Sequence, residues 1–179
     1  KDKEAIVQQD RVITFRELDE CAKRCSVIIL RTLKQLKSPA LLKQPVAIGL
    51  PKSIDTVAVN LGVAFSGNVF INLDMKSPDL RLISILEHLT VEFVVTDLTG
   101  RNRLLKAGWP EARVVLFEDA LDKSTIYDLN DIQKHLSSVI DTDPFCIINT
   151  SGSTGIPKGV AISHRGVIDF INWVTKTLG

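Results

Sequence analysis

The feature that most constrains this chain is a change of hydrophobic period that recurs along it, with stripes at helical spacing alternating with short unbroken apolar runs. Phe15, Leu18, Ala22, Cys25, Ile29, Leu33 and Leu36 recur every three or four residues and mark one long helix. Thr14-Phe15-Arg16-Glu17 has the capping-box form at its start, and Ser38-Pro39 is read as its stop. Residues 45–50 then form a continuous apolar run, as expected of a strand covered on both faces. The pattern repeats: helical over 54–65, extended over 69–73, helical over 78–89 and extended over 93–96. A shorter helix over 99–107, a strand over 114–117, a polar stretch over 118–125 and a helix over 129–139 follow. Ser77-Pro78 reads as a cap followed by proline in the first turn. This alternation predicts an α/β fold, a mostly parallel sheet flanked by helices, preceded by a small hairpin from 5–7 and 12–13.

Composition narrows the class. The chain has 179 residues with 22 Lys plus Arg against 21 Asp plus Glu, so a net charge of +1 supplies no general attraction to nucleic acid or to an anionic membrane. Residues 56–73 carry no charge, but Asn60, Ser66, Gly67, Asn68 and Asn72 interrupt them, which favours a helix and a strand over a membrane span. Three cysteines without a paired framework, and no apolar run near the first residue, point to a reducing, cytoplasmic setting. Cys21 and Cys25 lie four apart without a second pair, so all three cysteines, Cys146 included, read as core. His88 and His135 lie near helix ends, where a cation suits the dipole, and Trp109 and Trp173 read as packing residues.

The chemistry is concentrated in one segment. After a break at Asp141-Thr142-Asp143-Pro144, an apolar strand over 145–149 runs into T-S-G-S-T-G-I-P-K-G over 150–159, and a second strand over 160–162 follows. Glycines let successive N–H groups converge on an anion, hydroxyls add rotatable donors, and Lys158 adds a full charge. Composition alone also fits a flexible linker, but a tract held between two strands does not behave as one. The lysine spacing is not that of a Walker A loop, and a Rossmann fingerprint is absent. A last helical stripe over 164–178 has no remaining sheet to pack on, so the chain is expected to be a piece of something longer.

Residues Asn149 to Val160, with His164 just beyond, closely resemble the AMP-binding signature of the adenylate-forming superfamily, which includes peptide-synthetase adenylation domains, D-alanine–carrier-protein ligases, acyl-CoA synthetases and luciferases. Ile13 to Leu18 resembles that family's T-Y-x-E-L segment, and 67–82 its G-x-x-x-x-P-L-D-x-x-x-P-x-x-R-L stretch. Asn72 and Met75 replace prolines usual there, and the P-x-x-R-L spacing leans towards amino-acid activation. The resemblance covers nearly the whole chain and implies that residues 1–179 are an incomplete N-terminal portion of the large domain of such an enzyme, without its C-terminal lid domain.

It also implies a reaction. A carboxylate attacks the α-phosphate of ATP, giving an acyl-adenylate and pyrophosphate, and the acyl group passes to the thiol of a phosphopantetheinyl carrier protein or of CoA. Ser151, Gly152, Ser153, Thr154 and Gly155 would donate to phosphate oxygens, Lys158 would neutralise the β/γ end together with Mg²⁺, and Thr150 would meet a phosphate or a Mg²⁺-bound water. His164 is assigned packing or positioning, not proton transfer. The Mg²⁺-binding glutamate, the ribose-binding aspartate, the acyl pocket and the C-terminal lysine of the family would lie beyond Gly179, so these residues are expected to be inactive alone. An acyl-CoA synthetase, a non-catalytic nucleotide-binding module and a structural domain with a Gly/Ser linker stay open as alternatives.

Overall fold

The computed structural model describes residues 2–150 and 158–178. β1 (Glu4–Gln8) and β2 (Arg11–Thr14) form the expected antiparallel hairpin. It delivers the chain into α1 (Phe15–Gln35), whose capping box is complete: the Glu17 N–H donates to Thr14 Oγ1 at 3.3 Å, and the Thr14 N–H donates to Glu17 Oε2 at 2.8 Å. Leu18, Ala22, Cys25, Ile29 and Leu33 are buried as the stripe requires. Phe15, at the first helical position, stays 55% exposed.

The stop of α1 is earlier than Ser38-Pro39 suggests. Lys37 takes φ 53°, its N–H donates to Lys34 O at 3.1 Å, and the Ser38 N–H donates to Leu33 O at 3.0 Å. That is a Schellman turn, and it recurs at the ends of α2 (Ile54–Phe65), α3 (Asp79–His88) and α4 (Leu98–Lys106), with Gly67, Thr90 and Gly108 in the left-handed position. α2 and α4 start at side-chain caps, Ser53 and Asp97. α3 does not start as expected: Pro78 has ψ 148°, lies outside the helix as its cap residue and offers only its carbonyl, which accepts from Arg81 and Leu82 N–H groups, and Ser77 makes no cap.

β3 (Pro45–Gly49), β4 (Val69–Asn72), β5 (Phe93–Thr96), β6 (Val114–Leu116), β7 (Pro144–Thr150) and β8 (Lys158–Ser163) form one sheet in the order β6-β5-β3-β4-β7-β8. All neighbours are parallel except β7 and β8. Alternate residues of β3 serve two cores. Val46 and Ile48 pack with Cys25, Ile29 and Leu33 of α1 and Val59 and Val63 of α2, whereas Ala47 faces Leu82, Ile85 and Leu86 of α3 and Leu104 of α4. The mostly parallel sheet with helices on both faces is therefore what the alternation predicts.

Several local expectations are corrected. Phe117 is not strand but opens α5 (Phe117–Ala120) inside the stretch read as polar, and Ala120 is buried against the α1 side of the sheet. α6 (Leu129–Leu136) ends three residues early, where the hydroxyls of Ser137 and Ser138 donate to Lys134 O. Cys146 is only half-buried, and Trp173 is 58% exposed on α7 (His164–Leu178), a helix with no buried residue. Trp109 is buried, and its indole N–H donates to Arg113 O at 3.2 Å. The uncharged residues 56–73 resolve into α2, the Gly67 turn and β4; among the described residues no helix is long and apolar enough to cross a membrane.

Candidate functional site

The signature residues are presented by the β7–β8 hairpin. Ile148 pairs with Val160, Asn149 with Gly159 and Thr150 with Lys158, so the two strands reach into the 150–159 segment from both sides. Ser151, Gly152, Ser153, Thr154 and Gly155 lie outside the described residues. Thr150 and Lys158 are described and are exposed partners on the last rung of the ladder. The Thr150 hydroxyl donates to the Lys158 carbonyl at 3.2 Å. That hydroxyl has spent its proton, and what it still offers is a lone pair, which suits a donor such as a metal-bound water better than a phosphate oxygen. Gly159 has a packing reason of its own, since a Cβ there would lie 2.7 Å from Leu89 Cδ2 and 2.8 Å from Ile147 Cγ2.

The hairpin is anchored at the amino end of β7. Phe145 meets Phe70 edge-on at 5.0 Å and the His164 ring at 5.1 Å, so His164 packs against the first residues of β7. Asp143 accepts from Lys43 Nζ at 2.9 Å and from the Ile140 N–H at 3.0 Å, and its backbone carbonyl accepts from the His164 N–H. The hydrogen bond from Lys43 and then that from Ile140 hold the Asp143 carboxyl below its ordinary value. Arg165 Nε donates to Asp141 Oδ2 at 2.9 Å. The sequence marks 141–144 only as a break; its carboxylates are the fastening of the hairpin.

Two cavities open at the carboxyl edge of the parallel strands. One, of about 1130 Å³, lies past the ends of β3, β4 and β5, between the loop at Lys52 and Ser53, the turn at Asp74 and Met75, and the start of α4 at Asp97. This is where connections leave adjacent strands towards opposite faces, the usual place for a ligand crevice in such sheets. Arg103 shapes its wall: the guanidinium bonds Asp79 Oδ1 at 2.6 Å, the Ser77 carbonyl at 2.5 Å and the Met75 carbonyl, pinning the 74–79 turn to α4. The second, of about 400 Å³, lies between β4 and β7, with Asn72, Asp74, Ser77, Arg81 and Asn149 around a floor that includes Phe70 and Ile85. Asn149 Oδ1 is buried without a hydrogen-bond partner. Asn149 opens the signature and Arg81 is the arginine of the P-x-x-R-L stretch, but nothing in the sequence places them around one cavity, because what joins them is a sheet neighbourship between strands seventy-odd residues apart.

The remaining titratable candidates stay structural. Burial pushes the Cys25 thiol up to about 12, and burial also raises Cys21 and Cys146. His135 Nδ1 lies 2.7 Å from Asp131 O, and His88 ends α3. Among the described residues there is no group of three or more His, Cys, Asp or Glu side chains placed to hold a metal ion.

The family model for AMP-binding enzymes matches residues 1–178. The chain belongs to this family. Among curated relatives of this AMP-binding chain, indigoidine synthase of Dickeya dadantii is 30% identical over 182 residues, an overlap of 98% of this chain and 11% of that protein. Tyrocidine synthase 1 of Brevibacillus parabrevis is 28% identical over 178 residues, covering 99% of this chain and 15% of the relative. The AMP-binding chain thus spans a small fraction of the length of these relatives. Its fold is similar to part of the Klebsiella oxytoca NpsA N-terminal subdomain, with TM-score 0.72 at 24% identity over 93% of this chain and 39% of that one. The AMPPNP-bound form of the nonribosomal peptide synthetase FmoA3 aligns with TM-score 0.75 at 23% identity, over 98% of this chain and 17% of that one.

Proposed function

We propose that the protein carrying this chain activates a carboxylate, an amino acid foremost, as an acyl-adenylate at the expense of ATP, and passes the acyl group to the thiol of a phosphopantetheinyl carrier protein. The observation that carries this reading is the closure of the signature by a hairpin at the carboxyl end of a parallel strand, with Thr150 and Lys158 on facing positions of its last rung. The membership in the AMP-binding family and the peptide-synthetase relatives support it.

In this reading Ser151, Gly152, Ser153, Thr154 and Gly155 supply donors to the β and γ phosphates, and Lys158 supplies the charge that offsets what develops on departing pyrophosphate. Mg²⁺ enters with the triphosphate and lowers its charge; Thr150, with its lone pair free, would accept from a water bound to it. Holding the leaving group in line is positional and electrostatic work, and it needs no proton transfer from this part of the enzyme. The acyl pocket and the other groups the reaction needs are assigned to the rest of the protein, so residues 1–179 alone would not turn over.

The test is Lys158→Ala in the full-length protein, with the two half-reactions measured separately. Adenylate formation should slow by roughly 10²- to 10³-fold, the usual cost of losing one such electrostatic contact. Thiol transfer from preformed adenylate should change by no more than a few-fold. Equal loss in both half-reactions would remove Lys158 from the phosphate site.

A further inference from the structure

The long helix α1 is finished on its outer side: past Phe15, its exposed residues are Arg16, Glu17, Arg31, Lys34 and Gln35. The β8 end of the molecule is not. β8 is the last strand in the sheet order, with β7 as its described neighbour. Ile147 packs on the α3 and α4 side, so Ile148 and its register partner Val160 turn to the side that α1 and α2 cover over β3. Nothing covers them there, and they stay 53% and 46% exposed.

α7 leaves this hairpin with Val167, Phe170, Ile171, Val174 and Leu178 at the i, i+3, i+4, i+7 spacing of an apolar stripe. None of its residues is buried, and Phe170 and Leu178 are 62% and 77% exposed. Trp173, also exposed, lies against Phe170 with ring centroids 6.1 Å apart. Over residues 166–175 the one ionisable side chain is Asp169. A helix of 15 residues is marginal in water unless its apolar face is packed, and aromatic, charge-poor surface of this kind belongs to a contact.

Size and charge together identify the occupant. The matched part is 39% of the NpsA N-terminal subdomain, so more of that one subdomain lies outside the match than within it. α7 is the last element in the chain order, and polypeptide continuing from it emerges at the bare patch. An exchangeable partner's surface is about as polar as the rest of a protein, whereas permanent interfaces resemble a core cut in half. We propose that the polypeptide following Gly179 in the full protein packs back on the stripe of α7 and on the Ile148–Val160 face as a permanent layer of the same fold. The proposal does not depend on what the 150–159 segment binds.

The test uses purified full-length protein with Ile171→Cys or Ile148→Cys, labelled by a maleimide and read peptide by peptide in a mass spectrometer, so that the native cysteines do not interfere. Each introduced thiol should react at least about a hundredfold more slowly than in the same variant unfolded in urea, because access requires local opening. Reaction at the unfolded rate overturns the proposal. Protection that is lost on dilution assigns the patch to a second copy, and protection that appears only when the carrier protein is added assigns it to an exchangeable partner; either result also overturns it. Hydrogen exchange of the unsubstituted full-length protein covers the case of a variant that does not fold. Amides of residues 164–178 should then be as protected as those of α1, and exchange within seconds overturns the proposal.

Discussion

Gly62 lies where α1 and α2 approach most closely, and Gly62→Ala is a direct test of how the first core is built. A Cβ at residue 62 would stand 2.5 Å from Cys25 Cβ, 2.6 Å from Cys25 Sγ and 3.1 Å from Ala22 O. Two opposing effects have to be weighed. Alanine is a better helix former than glycine by roughly 1 kcal/mol, and α2 would gain that. Overpacking costs about 1–3 kcal/mol. Here the upper end applies, because the obstructing atoms include a Cβ fixed to the backbone and a carbonyl oxygen, and neither can rotate away. The net expectation is a loss of about 2 kcal/mol. For a chain of 179 residues that lowers the melting temperature by about 4–8 °C. Urea unfolding should show a lower midpoint at unchanged slope, since the surface exposed on unfolding is the same. Cys25→Ala removes the sulfur contact and leaves the Cβ contact, so the double variant should be more stable than the sum of the singles by about 1 kcal/mol. An unchanged or raised midpoint in Gly62→Ala, or strict additivity with Cys25→Ala, would show that the two helices are not in contact through this pair.

Two further outcomes follow from the same coordinates. Thr90 is an exposed β-branched residue at φ 49°, in the left-handed position that Gly67 and Gly108 fill at the ends of α2 and α4, so Thr90→Gly should stabilise the protein by about 0.5–1 kcal/mol, the relief of strain less the added entropy of the unfolded chain; a lower urea midpoint would contradict it. Cys25 is raised from 9.0 to about 12 when folded, so the native state keeps a proton that the unfolded chain loses: its contribution is whole below pH ~9 and declines towards pH 12 by up to ~1.4 kcal/mol per pH unit. Cys25→Ala should flatten the alkaline limb of a stability–pH curve, and parallel limbs for the two proteins would refute the buried-thiol assignment.

What the sequence makes legible is what local chemistry decides. The bounds of α2 and α7 coincide with those the periodicity predicts, and the capping box of α1 forms as its four residues imply. Where local signals compete, the reading fails in a consistent way. Pro78 could occupy the first turn or the cap, and its ψ puts it in the cap. α5 is four residues long, too short for a period to show, and is held by burial of Ala120. Schellman turns at Lys37 and Thr90 carry no glycine to announce them. For the candidate site, the residue types of 150–159 fit a linker as well as a phosphate loop, and the reading rests on their place between two strands and on their resemblance to the family signature. The cleft beside them has no such signature, because it exists only through the placement of β7 next to β4.

That placement explains why the hairpin is fastened as it is. Register pairing of β7 with β4 is limited to Phe70 with Cys146, and the 400 Å³ cavity lined by Arg81 and Asn149 lies beside it. The attachment is instead moved to the amino ends of the parallel strands: Lys43 ahead of β3 bonds Asp143 ahead of β7, and Phe145 is clasped between Phe70 and His164. Since β8 runs antiparallel, Ser163 pairs with Pro144 at this same end, and His164 and Arg165 bond Asp143 and Asp141 there. The carboxyl end of the hairpin, with Thr150 and Lys158, is thereby carried by anchors at its far end. An ion pair and an aromatic clasp thus add to the single register pair that joins β7 to β4 and to the ladder that joins it to β8.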